Sequence, residues 1–428
     1  MKTFSLFNTD FYQVSMMLAY IVRGIANENT GFEAFTRRIN TKVTDKSGYR
    51  FGGESDVKHF MTNIREEIGD PELLETFLAL VMPKVKVNKE NVEAKVRAEW
   101  PNLVKNSQFS FNVAGDFTVV KPMVPLFQYC GPKWIGQLID TPILNTINGP
   151  TARYSSGAEE HDTELYYKAL VERAKLYRAA TMVPLLEGGF RRAPSFGQAL
   201  LASQVALSVG WNGTSNIAAA QAGLVPYDRL GGTMAHAYVM SFEREIDAFL
   251  FWNTIFPQTT YLVDTNDVLQ AVQLLIDANI KPLDVRIDCS PLDTLCIETR
   301  KLLDSAGWKD VGIYPSGDID PSILFYLTQK KVPFNKTMAG TKYVNPPGFD
   351  DQESGFVYKL VQYERDGVMY FPKKNTFEKK NYAGLKNVYA KNDKLIVDCS
   401  GDIKWYGFDA YSIRKIGFDA EVVFENVP

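Results

Sequence analysis

Histidine and cysteine are both scarce in this chain. Three histidines and four cysteines among 428 residues leave little for metal capture by those side chains. Cys130, Cys289, Cys296 and Cys399 share neither a CxxC nor a metal-ligand spacing, so free thiols in a reducing compartment are expected. Basic excess is missing too: 47 Lys and Arg stand against 50 Asp and Glu, interspersed, for a net charge of −3. That excludes the positive field nucleic acid requires. The apolar residues 1–20 are interrupted by Asp10 and other polar groups, which fits neither a signal h-region nor a membrane span. A cytoplasmic protein without a membrane partner is the expectation. No internal repeat or low-complexity tract is present.

What the chain does contain is length enough for a large core and two domains, and a series of three like units. Residues 258–264 (QTTYLVD) lead into a run whose Val268, Leu269, Val272, Leu275 and Ile276 share one helical face. Residues 283–288 (LDVRID) lead into Leu292, Leu295, Cys296, Leu302 and Leu303, and residues 311–318 (VGIYPSGD) into a helix over 321–327. Short β-branched runs followed by i, i+3, i+4, i+7 apolar spacing read as βα units of a parallel sheet. Asp264, Asp288 and Asp318 then lie at strand carboxyl ends, the edge where parallel α/β barrels gather ligands. The bland reading of any one of them is a helix N-cap. Three in series suit a sugar diol or a Mg²⁺ held by few protein ligands.

Around this core, residues 8–23 read as a helix opened by an Asn or Thr cap and followed by Gly24. Residues 31–37 read as a strand of alternating character, and 56–99 as helical and charged, with 83–100 presenting a solvated face. Residues 116–130 turn to β with prolines suited to an edge, 135–147 read as a helix at a domain boundary, and 159–179 as a long helix. Residues 182–192 suggest the first barrel strand, and 355–428 return to strands and turns, compatible with a small β domain.

Four stretches could carry chemistry: EGGFRRAPS (187–195), WNGTSN (211–216), GGTMAHAYVMSF (231–242) and MAGTKYV (338–344). Arg191 and Arg192 offer planar donors that match carboxylate or phosphate oxygens, or else form a surface ion pair. Gly213 with Thr214 and Gly340 with Thr341 supply unobstructed amides and a hydroxyl, as a phosphate cradle needs. His59 and His161 lie in polar helical text and are expected to face solvent. His236 follows Gly231, Gly232 and Thr233. It is either a satisfied core histidine or, beside a phosphate site, a nucleophile or acid/base.

Taken together and in order, TDFYQ (9–13), FEAFTRR, GDFTVVKPMVPL, LIDTPILNTIN, EGGFRRA, GTSN, GTMAHAYVMSF, TTYLVDT, VRID, SGDID, AGTKYV, GFVYKLV and GLKNVY (384–389) resemble the nicotinate phosphoribosyltransferase family along nearly the whole chain. The resemblance implies an α/β fold of the type II phosphoribosyltransferase kind. Residues 1–148 would form the N-terminal part of an α/β sandwich, 149–345 an irregular α/β barrel with the active site, and 346–428 a segment completing the sandwich or a small β domain. It implies a homodimer with shared active sites. The reaction would join nicotinate to phosphoribosyl pyrophosphate, giving nicotinate mononucleotide and pyrophosphate in NAD salvage, with ATP as co-substrate and Mg²⁺ as cofactor. By the same likeness His236 matches the histidine the family phosphorylates, with Asp288 and Asp264 facing ribose and Mg²⁺-pyrophosphate. Substrate binding falls to Tyr12, lent to a neighbouring subunit's base pocket, and to Arg191, Ser215, Thr233, Arg286, Gly317, Asp318, Gly340 and Thr341. No residue is assigned as a dedicated metal ligand.

Two positions depart from the family pattern. Gly188 stands where a large apolar residue is usual, and the family's DSGD reads Asp288, Cys289, Ser290, Pro291 here. Base choice is read from Ser215: nicotinamide-specific relatives carry an aspartate there, which would repel nicotinate, whereas a hydroxyl can donate to it. Nicotinate therefore ranks before nicotinamide, with quinolinate third. The alternatives are a nicotinamide phosphoribosyltransferase, a barrel that binds nucleotide without turnover, and a Schiff-base phosphosugar enzyme, against which stands the lack of a strand-end lysine.

Overall fold

A computed structural model describes residues 5–44, 48–157, 159, 162–372, 382–391, 394–398 and 421–425. Helix α1 (Phe11–Arg23) is buried along most of its length, and Gly24, at φ 81°, ends it. Its N-cap position falls to Asp10 rather than to Asn8 or Thr9, and the Asp10 side chain makes no capping bond because it is engaged elsewhere. Strand β1 (Asn29–Thr36) follows, then the short β2 (Tyr49–Arg50) and helices α2 (Glu54–Glu67), α3 (Leu73–Val81) and α4 (Lys89–Lys105). In α4, Val92, Val96, Trp100 and Leu103 recur on one face and are buried, and the charged remainder is the expected solvated face. Strands β3 (Ser110–Val113), β4 (Val119–Val120) and β5 (Phe127–Pro132) lead to α5 (Lys133–Leu138) and α6 (Asp140–Ser156). The single helix expected over 135–147 is thus two, broken at Ile139.

Helix α7 (Thr163–Ala180) delivers the chain to the parallel strands. These are β6 (Leu185–Glu187), β7 (Gly213–Thr214), β8 (Thr260–Leu262), β9 (Asp284–Ile287), β10 (Gly312–Pro315) and β11 (Thr337–Ala339). Between them run α8 (Phe196–Ser208), α9 (Ile217–Gln221), α10 (His236–Val239), α11 (Glu245–Ile255), α12 (Val268–Asp277), α13 (Leu292–Ser305) and α14 (Pro321–Gln329), and α15 (Thr341–Val344) follows β11. The strands pair in two parallel sets, β10-β9-β8 and β11-β6-β7, which meet where Thr337 Oγ1 donates to the Pro315 carbonyl (2.9 Å). This is an irregular barrel wall. The three βα units stand as expected: Val268, Val272 and Leu275 of α12 and Leu292, Cys296 and Leu303 of α13 are buried, each large side chain contributing roughly 1.5–3 kcal/mol.

The two ends of the barrel differ in charge. At the amino end Asp284 is paired with Lys336 (2.6 Å) and accepts from Thr260 (3.1 Å). At the carboxyl end stand Asp264 and Asp288 beyond β8 and β9. Neither is a helix cap. The caps of α12 and α14 are Asp267 and Asp320, which accept from the backbone of Gln270 and Ile323.

The far end of the chain returns to the first sheet. Strand β12 (Phe356–Arg365) pairs antiparallel with β1, placing Phe32 opposite Leu360, and β13 (Val368–Tyr370) borders it, in the order β13-β12-β1-β5-β3. Strand β1 has β12 and β5 on its edges and is buried on both faces from Thr30 to Thr36, with α5 over Phe32 and Leu385 and Lys386 over Gly31 and Glu33. The alternation expected for 31–37 is therefore absent, as for any strand covered on two sides. Strands β14 (Asn387–Lys391), β15 (Lys394–Asp398) and β16 (Glu421–Glu425) form a further small sheet. His161 and Cys399 lie outside the described residues; His59 is exposed. Among the described residues no helix is long and apolar enough to cross a membrane.

Lys386 inserts its ammonium beside Glu33 of β1 (2.5 Å), with both side chains almost wholly buried (2% and 1% exposed). The Lys386 amide and Gln128 also donate to Glu33. Removing one partner leaves the other charge stranded. Lys386→Ala is expected to cost about 3–5 kcal/mol in urea unfolding, and Lys386→Met combined with Glu33→Gln markedly less.

Candidate active site at the barrel mouth

His236 opens α10 with its Nδ1 3.1 Å from Thr265 Oγ1. Its Nε2 lies 3.9 Å from Asp264 Oδ2 and 3.9 Å from Asp288 Oδ2. One atom from each of these three side chains can be chosen so that all lie within 4.8 Å of one another, a spacing that could hold a cation. Asp264 is fully buried, whereas Asp288 is 29% exposed and accepts from Ser316 Oγ (3.2 Å). A histidine read as either core or functional thus faces two strand-end carboxylates.

Three arginines lie on nearby elements. Arg191, in the turn after β6, lies 3.7 Å from Asp140 Oδ2 and is a third exposed. Its guanidinium is held above its ordinary range chiefly by the Tyr12 phenol, with Asp140, Asp10 and Asp288 adding. Arg192 is drawn to Glu353 (3.2 Å) and feels Asp318. Arg286, on β9 beside Tyr314, has a buried Nε with no hydrogen-bond partner among the described residues. A buried donor left this way is a vacancy an anionic ligand can satisfy.

The remaining expected residues take places around the same rim. Gly317 packs so closely on the Asp288 backbone that a Cβ would sit 2.9 Å from its carbonyl carbon. Asp318 adopts φ 46° in that loop. Gly340 abuts the Gly188 carbonyl, and Thr341 opens α15 beside it. Thr233 lies in the segment from Leu230, bridged to Thr214, to His236, where Gly232 leaves no room for a Cβ against the Tyr12 backbone.

Two of the expected residues have partners within the chain. The Ser215 hydroxyl is buried and donates to Asp10 Oδ1 (2.5 Å), while Thr141 and Tyr12 donate to Asp10 Oδ2 (2.7 and 3.2 Å). Tyr12, expected to be lent to a neighbouring subunit's base pocket, lies close enough to Arg191 of its own chain for each to feel the other. The Phe11 amide donates to the Ser215 carbonyl (2.6 Å), and Asp10 forms a β-bridge with Asn216, which ties the N-terminal segment there. Burial pushes the Tyr12 phenol well up, tempered by Arg191.

Sequence reasoning passed over Asp10, Asp140 and Glu187, although all three lie inside motifs it quoted. Asp140 accepts from Gln13 (2.8 Å), and burial raises its carboxyl against the pull of Arg191 and Lys359. Glu187, at the end of β6, is 1% exposed and accepts from Gly189 N–H (2.5 Å), Thr214 Oγ1 (2.5 Å) and Ser203 Oγ (2.9 Å). Burial pushes it up to about 7.

The missing apolar wall at Gly188 is filled from another strand. A Cβ there would lie 2.5 Å from Met338 Sδ, so the thioether of β11 occupies the space. Gly188→Leu should overpack the site and cost about 1–3 kcal/mol in thermal unfolding, with Met338→Ala in the same chain restoring most of it. Glu187 sets a pH dependence. Its folded value, about 7, lies above the 4.5 of an ordinary glutamate. The stability tied to it is therefore full below about pH 4.5 and lost as pH rises through about 7. Between about pH 5 and 8 the wild type should lose roughly 3 kcal/mol relative to Glu187→Gln in denaturant titrations.

No family model matches the chain. It is 27% identical over 394 residues to a nicotinate phosphoribosyltransferase of Mycobacterium tuberculosis, covering 90% of this chain and 75% of that one. A nicotinate phosphoribosyltransferase of Bacillus subtilis is 27% identical over 392 residues, covering 89% and 72%. In fold, the chain is similar to the crystal structure of nicotinate phosphoribosyltransferase from Porphyromonas gingivalis (TM-score 0.66, 16% identity, 88% of this chain and 95% of that one). It is likewise similar to a putative nicotinate phosphoribosyltransferase from Saccharomyces cerevisiae (TM-score 0.65, 17% identity, 88% and 94%). The structures speak for the fold alone, and in sequence the chain is similar over most of its length to nicotinate phosphoribosyltransferases.

Proposed function

We propose that the chain is a nicotinate phosphoribosyltransferase, acting in NAD salvage. The observation that carries the reading is the convergence of His236, Asp264 and Asp288 at the carboxyl end of a parallel barrel, with Arg286, on β9, two residues before Asp288 and Arg191 near enough to feel Asp288. In the reaction the C1–oxygen bond of phosphoribosyl pyrophosphate breaks, the pyridine nitrogen bonds to C1, and pyrophosphate leaves. Positive charge develops on the ribose as the bond breaks. Carboxylates fixed beforehand stabilise it without reorganisation, and Asp288, the more open of the two, is placed to do so. The arginines orient the anionic ends: Arg286 offers an unsatisfied donor and Arg191 a planar fork, matched to a base carboxylate or a phosphate.

The carboxylates of Asp264 and Asp288 suit Mg²⁺, a hard cation held by one or two acids plus substrate phosphates, better than the imidazole does. Bound there, the ion would screen the leaving pyrophosphate. His236 is then left for ATP coupling: a P–N bond forms at its ring as the γ-phosphoryl P–O bond breaks and ADP departs. Asp264 and Asp288 favour the positive charge the ring gains, and Thr265 fixes its orientation. A phosphoryl group on that ring would alter which donors nearby are free, linking ATP to substrate affinity. A cytoplasmic homodimer belongs to the same reading.

Incubated with phosphoribosyl pyrophosphate, Mg²⁺ and ATP, the protein should convert nicotinate to nicotinate mononucleotide faster than it converts nicotinamide to its nucleotide. Faster turnover of nicotinamide would overturn the base assignment. Acid-labile label from γ-labelled ATP should appear on the wild type and vanish, together with stimulation by ATP, in His236→Ala; undiminished label on that variant removes His236 from the role.

A further inference from the structure

Glu187 takes no part in the chemistry above, yet its one carboxylate binds three pieces of chain together. Its carboxylate accepts from the Gly189 amide at the start of the turn that carries Arg191. It accepts from Thr214, the residue before Ser215, and from Ser203 of α8. The network then closes on itself. Thr214 Oγ1 accepts the Asn216 amide (3.0 Å), and Asn216 Nδ2 donates to Ser203 Oγ (3.0 Å) and to the Ala199 carbonyl (3.2 Å). Ser215, held in this way, carries Asp10, and Asp10 in turn takes Tyr12.

We propose that Glu187 is a positioning residue: by gripping the turn after β6 and the loop after β7 at once, it sets Arg191 and Tyr12 on one wall of the pyridine site. The assignment deepens the reading of the chain as a nicotinate phosphoribosyltransferase and rests on it for the identity of the ligand. Only a carboxylate fits the role, because three donors converge on it and a glutamine of the same size would offer one acceptor and a competing donor. The acid is charged or neutral according to pH near neutrality, and it faces Asp10 of the N-terminal segment, Tyr166 of α7 and Tyr343 of α15, with the hydroxyls of α8 and β7 completing its surroundings. Protonation turns one of its two oxygens into a donor, Oε1 facing the Gly189 amide or Oε2 facing Thr214 and Ser203, so the two loops no longer share one charged acceptor.

The test compares wild type with Glu187→Gln by amide hydrogen exchange, resolved to residues 188–193 and 213–217, and by steady-state kinetics across pH. Exchange should quicken in both segments together while α12 and α13 keep wild-type rates. The reaction rate should fall about tenfold to a hundredfold, with the pH limb near neutrality gone from the variant. Wild-type exchange in both segments, or quickening in one alone, overturns the proposal. If Glu187→Gln does not fold, Ser203→Ala, which removes the α8 donor to Glu187 and with it the acceptor of Asn216 Nδ2, is read on residues 188–193, where quickened exchange supports the proposal and wild-type exchange overturns it. Should the wild type form no nicotinate mononucleotide, the functional reading falls, and the exchange comparison still decides whether Glu187 couples the loops.

Discussion

The barrel mouth is governed by the need to keep buried carboxylates in balance. Asp10, Asp140, Glu187 and Asp264 are each less than a tenth exposed, and an uncompensated charge in such a place costs several kcal/mol. The chain answers in more than one way. Asp10 and Glu187 are surrounded by hydroxyl and amide donors, Asp140 has Gln13 and Arg191, and Asp264 faces His236. Arg286 is the exception that completes the pattern, a cation whose Nε is buried without a hydrogen-bond acceptor among the described residues. A site of this kind is preorganised for a ligand carrying both acidic groups and developing positive charge, because its dipoles are fixed by their own neighbours before anything binds.

Much of this was legible in the sequence, and the reason is local. The β8, β9 and β10 units follow short-range periodicity, so their helices, their strands and the aspartates beyond the strands could be read directly. The parts that were not legible involve partners distant in the chain. Asp10 accepts from Thr141 and Ser215, 131 and 205 residues away. Ser215 was therefore read by its residue type as a donor to ligand, when its proton is already held by Asp10. Gly188 likewise looked like a missing wall, because nothing nearby announces that Met338 fills the space. Local pattern also misjudged β1: its two faces are covered by segments distant in the chain, Gly136 of α5 against Phe32 on one and Leu385 and Lys386 against Gly31 and Glu33 on the other.

The same division runs through the helix caps. Aspartate at the end of a strand reads equally as cap or as catalyst, and both kinds are present within a few residues of each other. Asp267 and Asp320 close helix ends, while Asp264 and Asp288 remain turned to the mouth. The distinction is one of spacing: a cap must reach the amide three residues on, as Asp267 reaches Gln270, and Asp264 stands too far before α12 to do so.

The pairing of β1 with β12 has a bearing on how the chain comes to be folded at all. A ribosome releases residue 29 long before residue 356, and in the interval one edge of β1 has no neighbour to take up its backbone amides and carbonyls. The nascent barrel strands must therefore emerge beside an open sheet edge. Closure of the loop between the two strands comes late, which makes the amino-terminal third of the protein the part most exposed to wrong association during synthesis.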